Sequence, residues 1–155
     1  TLVPNTLGVS DTNGAGQFVG VEFDTWSNTE YNDPPNQHVG IDVSSVISIK
    51  TVPWNRVSGA VVKVPVIYDS STKILSVAVA NENGGDITPI AEVVDLKAKL
   101  PERVKVGFSA AGSRGGRQRH LIHSWSFTST LSTTTTTRRS INKNLRNIMN
   151  IFANA

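Results

Sequence analysis

Along residues 18–26 (FVGVEFDTW) apolar and polar side chains alternate with a period of two. That pattern, repeated between short clusters of turn formers, confines the chain to β structure. In this first run Val21 and Phe23 share one face and Glu22 and Asp24 the other, so two carboxylates point the same way. Residues 27–37 (SNTEYNDPPNQ) are polar and turn-rich, and at 38–44 (HVGIDVS) the alternation resumes with Val39, Ile41 and Val43 facing inward. Residues 60–68 and 74–80 flank Asp69-Ser70-Ser71-Thr72-Lys73, a polar connection suited to a hairpin. Pro65 interrupts the first of these runs; lacking a ladder donor, it predicts an edge strand or a bulge. Further strands are expected over 87–94, 103–110 and 120–131, with a glycine-rich loop, 111–119 (AGSRGGRQR), between the last two. The expected core holds Val39, Ile41, Val43, Val77, Val79, Trp125 and Phe127.

The fold class that follows is all-β. With 155 residues, 38% hydrophobic against 17% charged, the chain has the size and composition of one globular domain. After Leu131 the character changes. A threonine run at 133–137 precedes basic residues, and Ile141, Leu145, Ile148, Met149 and Phe152 then follow at helical spacing. We divide the chain into residues 1–131 and a Thr-rich basic tail, 132–155. The tail is open to three readings: a frayed or disordered end, a removable sorting or processing segment, and a basic amphipathic helix on an acidic membrane.

The formal charge of +3 has its source in that tail, which carries Arg138, Arg139, Lys143 and Arg146 and no acid. The body retains eleven basic against twelve acidic residues, a net −1. Arg114, Arg117 and Arg119 cluster without an interleaved aromatic ladder or a nucleic-acid motif, so no nucleic-acid partner is expected. The absence of cysteine excludes disulfides and thiolate metal sites. No apolar run approaches the length of a membrane span, and Thr1-Leu2-Val3-Pro4 does not read as an export signal, so any signal peptide is expected outside these residues.

Chemistry concentrates in Glu22, Asp24, Asn28, Asp33 and His38, three carboxylates, an amide and an imidazole on a strand end and the loop leaving it. Singly, each has an ordinary explanation as a turn former or a hydrogen-bonded structural residue. Together, with Asp33 followed by Pro34-Pro35, they read as a metal signature. Ca²⁺ takes oxygens from carboxylates, amides, carbonyls and water, whereas an imidazole beside carboxylates suits a transition ion such as Mn²⁺. A carboxylate has two oxygens, so Asp24 and Asp33 can each bridge two ions.

The segment VGVEFDTWSNTEYNDPPNQHVGIDVSS resembles the metal-binding stretch of the legume lectins, and GFSAAGSRGGRQRHLIHSWSFTSTL their closing strand pair and specificity loop. LGVSDTNGAGQFVGVEFDT, TVPWNRVSGAVVKV and VVDLKAKLPERVK place it nearest the galactose-binding members, and the likeness runs from Thr6 to Leu131. The resemblance implies a jelly-roll sandwich of two antiparallel sheets of the concanavalin A type, of which this chain is the carboxy-terminal part. It further implies that Glu22, Asp24, Asp33 and His38 ligate manganese, with Ser48 acting through a water. Calcium would take Asp24, the Trp26 carbonyl, Asn28 and Asp33. Galactose would meet the Asn5 backbone, the Trp26 ring, the Asn28 amide, the Ser113 hydroxyl and the Gly115 backbone amide. An aromatic plate with a few fixed donors suits a sugar that has one C–H-rich face. By pattern alone, a core tryptophan remains open as the reading of Trp26.

The resemblance also implies an amino-terminal lectin segment as partner, which supplies strands and a galactose-binding aspartate. It implies a homo-oligomer, dimer or tetramer, when complete, and a place in the secretory pathway: seed vacuole and protein bodies, or outside the cell. Val3-Pro4-Asn5 departs from the glycine-rich run of the relatives, Trp26 is bulkier than their Tyr or Phe, and Arg114 adds a cation at the rim. Two alternatives are carried. One is a lectin-related seed storage or defence protein without sugar binding. The other is a jelly-roll glycoside hydrolase with the pattern Glu-x-Asp-x-x-Glu, which fails here because Ser27 stands at the third position. No enzymatic activity is expected.

Overall fold

The computed structural model describes residues 16–111, 118–136 and 140–154, with the backbone alone described from 131 onward. It divides into two compact units. Residues 16–58 and 96–120, so far as described, form the first, and residues 59–95 and 121–154 the second.

The first unit is built on a three-stranded antiparallel sheet of β1 (Val19–Asp24), β2 (His38–Val43) and β3 (Lys50–Pro53), with β2 in the centre. Between β1 and β2 the chain makes a 3-10 turn at Thr29–Tyr31, closed by Asn32 in the left-handed conformation that asparagine tolerates. The register sets Val21 opposite Ile41 and Phe23 opposite Val39 on one face, and Gly20, Glu22 and Asp24 opposite Asp42, Gly40 and His38 on the other. Val39 and Ile41 are wholly buried, each apolar side chain contributing about 1.5–3 kcal/mol. Phe23 meets the ring of Trp54 edge-on at 5.5 Å. A single helical turn, α1 (Leu96–Lys99), belongs to this unit.

The second unit is a five-stranded antiparallel sheet in the order β6-β5-β4-β8-β7, where β4 is Val61–Asp69, β5 Ile74–Asn81, β6 Ile87–Val93, β7 Leu121–Thr136 and β8 Ser140–Asn154. The expected hairpin joins β4 to β5. Asp69 closes it by accepting the Ser71 backbone N–H at 2.8 Å, and Lys73 turns the chain at φ 59°. Val62, Val64, Val66 and Tyr68 of β4, Leu75, Val77 and Val79 of β5, and Ile90 of β6 are buried, while Lys63, Ile67 and Ile87 are exposed. Along β4, β5 and β6 one face is therefore apolar and buried.

Several expectations are corrected. Pro65 lies on an interior strand, flanked by β5 and β8, and the β4–β5 register does not shift around it. The missing donor is accommodated by a gap in the β4–β5 ladder at Val64 and Pro65. Residues 103–110 form no strand: they have no ladder partner among the described residues, and alternation alone does not supply one. Trp125 and Phe127 are 49% and 43% exposed, because alternation identifies an apolar face but not what covers it. Val43, at the strand end, is half-buried. The helical spacing of the tail does not give a helix. Residues 140–154 run as β8 between β4 and β7, and β7 continues through the threonine run, since β-branched residues in that stretch satisfy a strand equally well.

Candidate functional site

The alternation of β1 and β2 makes one face of their hairpin hydrophobic and the other ionisable, yet both are shielded from water. On the ionisable face His38 and Asp42 are 1% and 3% exposed, and Glu22 and Asp24 are half-buried. Glu22, Asp24 and His38 each offer a ligand atom, and these atoms lie within 4.8 Å of one another. The imidazole is locked in one tautomer. Its Nδ1 stands 3.1 Å from the Asn36 carbonyl and donates there, which leaves the Nε2 lone pair for another partner; Nε2 is buried with none.

Burial governs the protonation of this cluster. It pushes the Glu22 carboxyl up to about 8, helped by the charges of Asp42 and Asp24 and opposed by a hydrogen bond from Ser48. Asp24 is raised by burial first, against the pull of the Trp26 backbone N–H, and then by Asp33. Asp42 is likewise raised by burial, with its Ser48 hydrogen bond working the other way. Carboxyls that resist ionising in isolation are suited to a cation, which replaces the proton at lower cost than burying bare charge. The donor set, two carboxylates and one imidazole presenting its lone pair, fits a transition ion, and neighbouring Asp33 adds oxygen for a harder one.

Ser48 reaches this face through a space that only glycine leaves. Its Oγ is 2.6 Å from Asp42 Oδ1 and 3.2 Å from Glu22 Oε2, and a Cβ on Gly40 would collide with that hydroxyl and stand 3.3 Å from Glu22 Oε2. The loop above is tied to the same carboxylates. Asp24 Oδ1 accepts the Trp26 N–H at 2.6 Å, Asp33 Oδ2 accepts the Asn28 N–H at 2.7 Å, and the Asn28 Nδ2 donates to Glu30 at 3.3 Å. Trp26 is 58% exposed, a large aromatic side chain on a backbone whose N–H is held by Asp24.

The structure thus brings together Glu22, Asp24 and His38, with Ser48 in hydrogen-bonding reach, and places Trp26, Asn28 and Asp33 on the adjoining loop. Asn5, Ser113 and Gly115 lie outside the described residues. Sequence reasoning passed over Asp42 and Gly40, although alternation from His38 puts both on the carboxylate face. It also missed a long-range tie: Thr25 Oγ1 donates to Gln118 Oε1 at 2.6 Å, joining the segment before Trp26 to the end of the glycine-rich loop. No sequence signal announces that pair, whose members stand 93 residues apart.

Comparison with known proteins gives the arrangement its context. Residues 3–143 match the model of the legume lectin domain. The chain is 79% identical over 146 residues to the galactose-binding lectin of Arachis hypogaea, covering 94% of this chain and 52% of that protein. It is 54% identical over 129 residues to the anti-H(O) lectin of Lotus tetragonolobus, covering 81% and 52%. Among solved structures, peanut lectin with a nine-residue peptide superposes with a TM-score of 0.69 at 60% identity, covering 100% of this chain and 56% of that one. A lectin designated UEA-II, complexed with galactose, gives 0.66 at 30% identity, covering 97% and 56%. The chain spans about half the length of the relatives it matches.

Proposed function

Because this chain belongs to the legume lectin family, with its all-β jelly-roll and its non-enzymatic binding of carbohydrate, we propose that it forms the metal-holding part of a lectin for galactose or galactose-containing glycans. The observation that carries the reading is the buried, unpartnered Nε2 of His38 beside Glu22 and Asp24, directly beneath a loop that exposes Trp26. The 79% identity to a galactose-binding lectin supports the choice of sugar.

On this reading Glu22, Asp24, Asp33 and His38 would hold Mn²⁺, with Ser48 at one remove, and Asp24, the Trp26 carbonyl, Asn28 and Asp33 would hold Ca²⁺. The ions supply positive charge that lets the buried carboxylates ionise together. The chain's own residues do the rest. Asp24 and Asp33 fix the backbone of Trp26 and Asn28 through the hydrogen bonds at 2.6 and 2.7 Å, so the aromatic plate and the amide are set before sugar arrives. Trp26 stacks on the apolar face of galactose. Asn28 donates to a hydroxyl, and Ser113, the Gly115 amide and the Asn5 backbone complete the orientation.

The remaining half of the domain completes the site and covers apolar surface that this chain exposes, including Val104, Val106, Phe108, Trp125 and Phe127. The assembled protein is a homo-oligomer, dimer or tetramer, of the secretory pathway. The test is retention on immobilised galactose, with elution by free galactose and elemental analysis of the eluted protein for calcium and manganese. Passage straight through the column by metal-loaded protein would favour the storage or defence reading instead.

A further inference from the structure

Beside the Trp26 loop, within the first unit, lies a second concavity. It is an open depression of about 590 Å³, and its walls include Thr25, Ser27, Asn36, Gln37, Asn55 and Arg56. Its walls are already locked together. The Trp54 N–H donates to the Gln37 carbonyl at 2.9 Å, the Arg56 N–H donates to the Trp54 carbonyl at 2.9 Å, and Trp54 is anchored by the Phe23 ring. The backbone on this side of the hollow is thus fixed before a ligand enters.

Its chemistry is specific. Hydroxyls and carboxamides, which both donate and accept, line the space, and Arg56 is the one charged residue among the described residues lining it. The Arg56 Nε is buried without a hydrogen-bond partner. The Arg56 guanidinium carries a planar fork of N–H groups, which matches an anion with two oxygens in one plane. Hydroxyls and amides around that anion suit a polyol. Thr25 and Ser27, on either side of Trp26 in the chain, contribute to the hollow, so it adjoins the segment that carries the stacking ring.

We propose that this hollow is a subsite for an anionic sugar residue, a uronate or a sulfated sugar, of a longer galactose-containing glycan, with Arg56 taking the carboxylate or sulfate ester. The inference rests on the galactose reading for the position of the first sugar, but the hollow itself stands on Arg56 and its surroundings. Arg56 has no part in holding the galactose ring.

The test uses the metal-loaded, assembled lectin at low salt. Calorimetric titration compares galactose with a disaccharide joining galactose to glucuronate and with a 6-sulfated galactoside. One of the two anionic sugars should bind about tenfold tighter than galactose. In Arg56→Met that gain should vanish with galactose affinity unchanged, and Arg56→Lys should keep part of it. A gain that persists in a folded Arg56→Met protein overturns the proposal, as does the absence of any gain in the native protein. Should Arg56→Met not fold, the native protein decides. Its Arg56 Nε–H resonance, followed by NMR, should move on addition of free glucuronate or galactose 6-sulfate, and an unmoved resonance overturns the idea. A resonance that moves with inorganic sulfate, but with neither sugar, shows an anion site only and also overturns it. If galactose fails to bind while glucuronate still moves the Arg56 resonance, the galactose reading falls and the anionic subsite stands.

Discussion

Strands β2 and β5 are both interior strands with buried residues, yet they are buried for opposite reasons. In β5 burial follows apolarity: Leu75, Val77 and Val79 are covered and the residues between them are more open. In β2 both faces are covered, and the second carries His38 and Asp42 with Glu22 and Asp24 of β1 against it. The first kind of burial stabilises the fold directly. The second opposes it unless something offsets the desolvation of the carboxyls, and the Trp26 loop is hydrogen-bonded to it through Asp24. Stability and binding should therefore be separable along the chain.

The largest expected effect comes from stripping divalent ions from the assembled lectin with a chelator at acidic pH and returning it to neutral pH. With the β1–β2 face unsupported, the loop must order itself during binding, at roughly 1–2 kcal/mol for each backbone residue fixed. Three or four residues suffice to weaken galactose binding by about a hundredfold or more in calorimetry. Equal affinity with and without ions would erase the distinction between the two strands.

Next come paired substitutions. Leu75→Ala in β5 should cost about 2–4 kcal/mol in denaturant unfolding and leave galactose affinity intact in the folded protein. Gly40→Ala in β2 should cost about 2 kcal/mol, because its Cβ displaces Ser48, and should also lower metal content by elemental analysis. If Gly40→Ala retains full metal content, the close approach of Ser48 is not what the glycine protects.

The protonation of Glu22 supplies a third, smaller contrast. Its carboxyl, raised to about 8 from an ordinary 4.5, binds its proton more tightly in the ion-free folded state than in the unfolded chain. The stability this contributes is fully present below the unfolded value and is lost as pH rises through 8. Ion-free protein should therefore melt about 5 °C lower at pH 9 than at pH 5 on this account, whereas ion-loaded protein should not, since cations hold the place of the protons. Calorimetric melting curves with and without ions decide it.

The tie between Thr25 and Gln118 is expected to be worth about 1 kcal/mol, so Thr25→Val should weaken galactose binding roughly fivefold without changing metal content. Affinity unchanged would mean that the glycine-rich loop is placed by other contacts. At the small end, Ile67→Thr on the open face of β4 should alter unfolding free energy by no more than about 0.5 kcal/mol.

Much of this contrast was legible in the sequence. Alternation placed Glu22 beside Asp24, set Val39 and Ile41 inside, and located the β4–β5 hairpin to within a residue or two. What it did not give depends on partners distant in the chain. Asp42 became part of the site only once β1 and β2 were set in register, and Gly40 only once Ser48 was seen to need the space above it. The run at 103–110 has the composition of a strand, but strand formation needs a neighbour to bond with. Alternation marks Trp125 and Phe127 as core because their face is apolar, yet both residues are exposed. The tail misled for a different reason: its apolar residues fit a helical stripe, while strand pairing to β4 and β7 decided the outcome.

The cross-strand register of β1 and β2 bears on how the hairpin finds itself during folding. A slip of one residue is excluded at once, since it would exchange the apolar and ionisable faces. Slips of two keep the faces and have to be rejected by other means. In the native pairing no carboxylate directly faces another: Asp42 is opposite Gly20, Glu22 opposite Gly40, and Asp24 opposite His38. Moving the pairing by two in one direction would set Glu22 against Asp42, like charge on like charge, whereas in the other it would set Gly20 against Gly40 and Glu22 against His38, with no like charges opposed. The glycine opposite Glu22 thus acts as a spacer, and the residues of the ionisable face also serve as a check against one of the two mispairings.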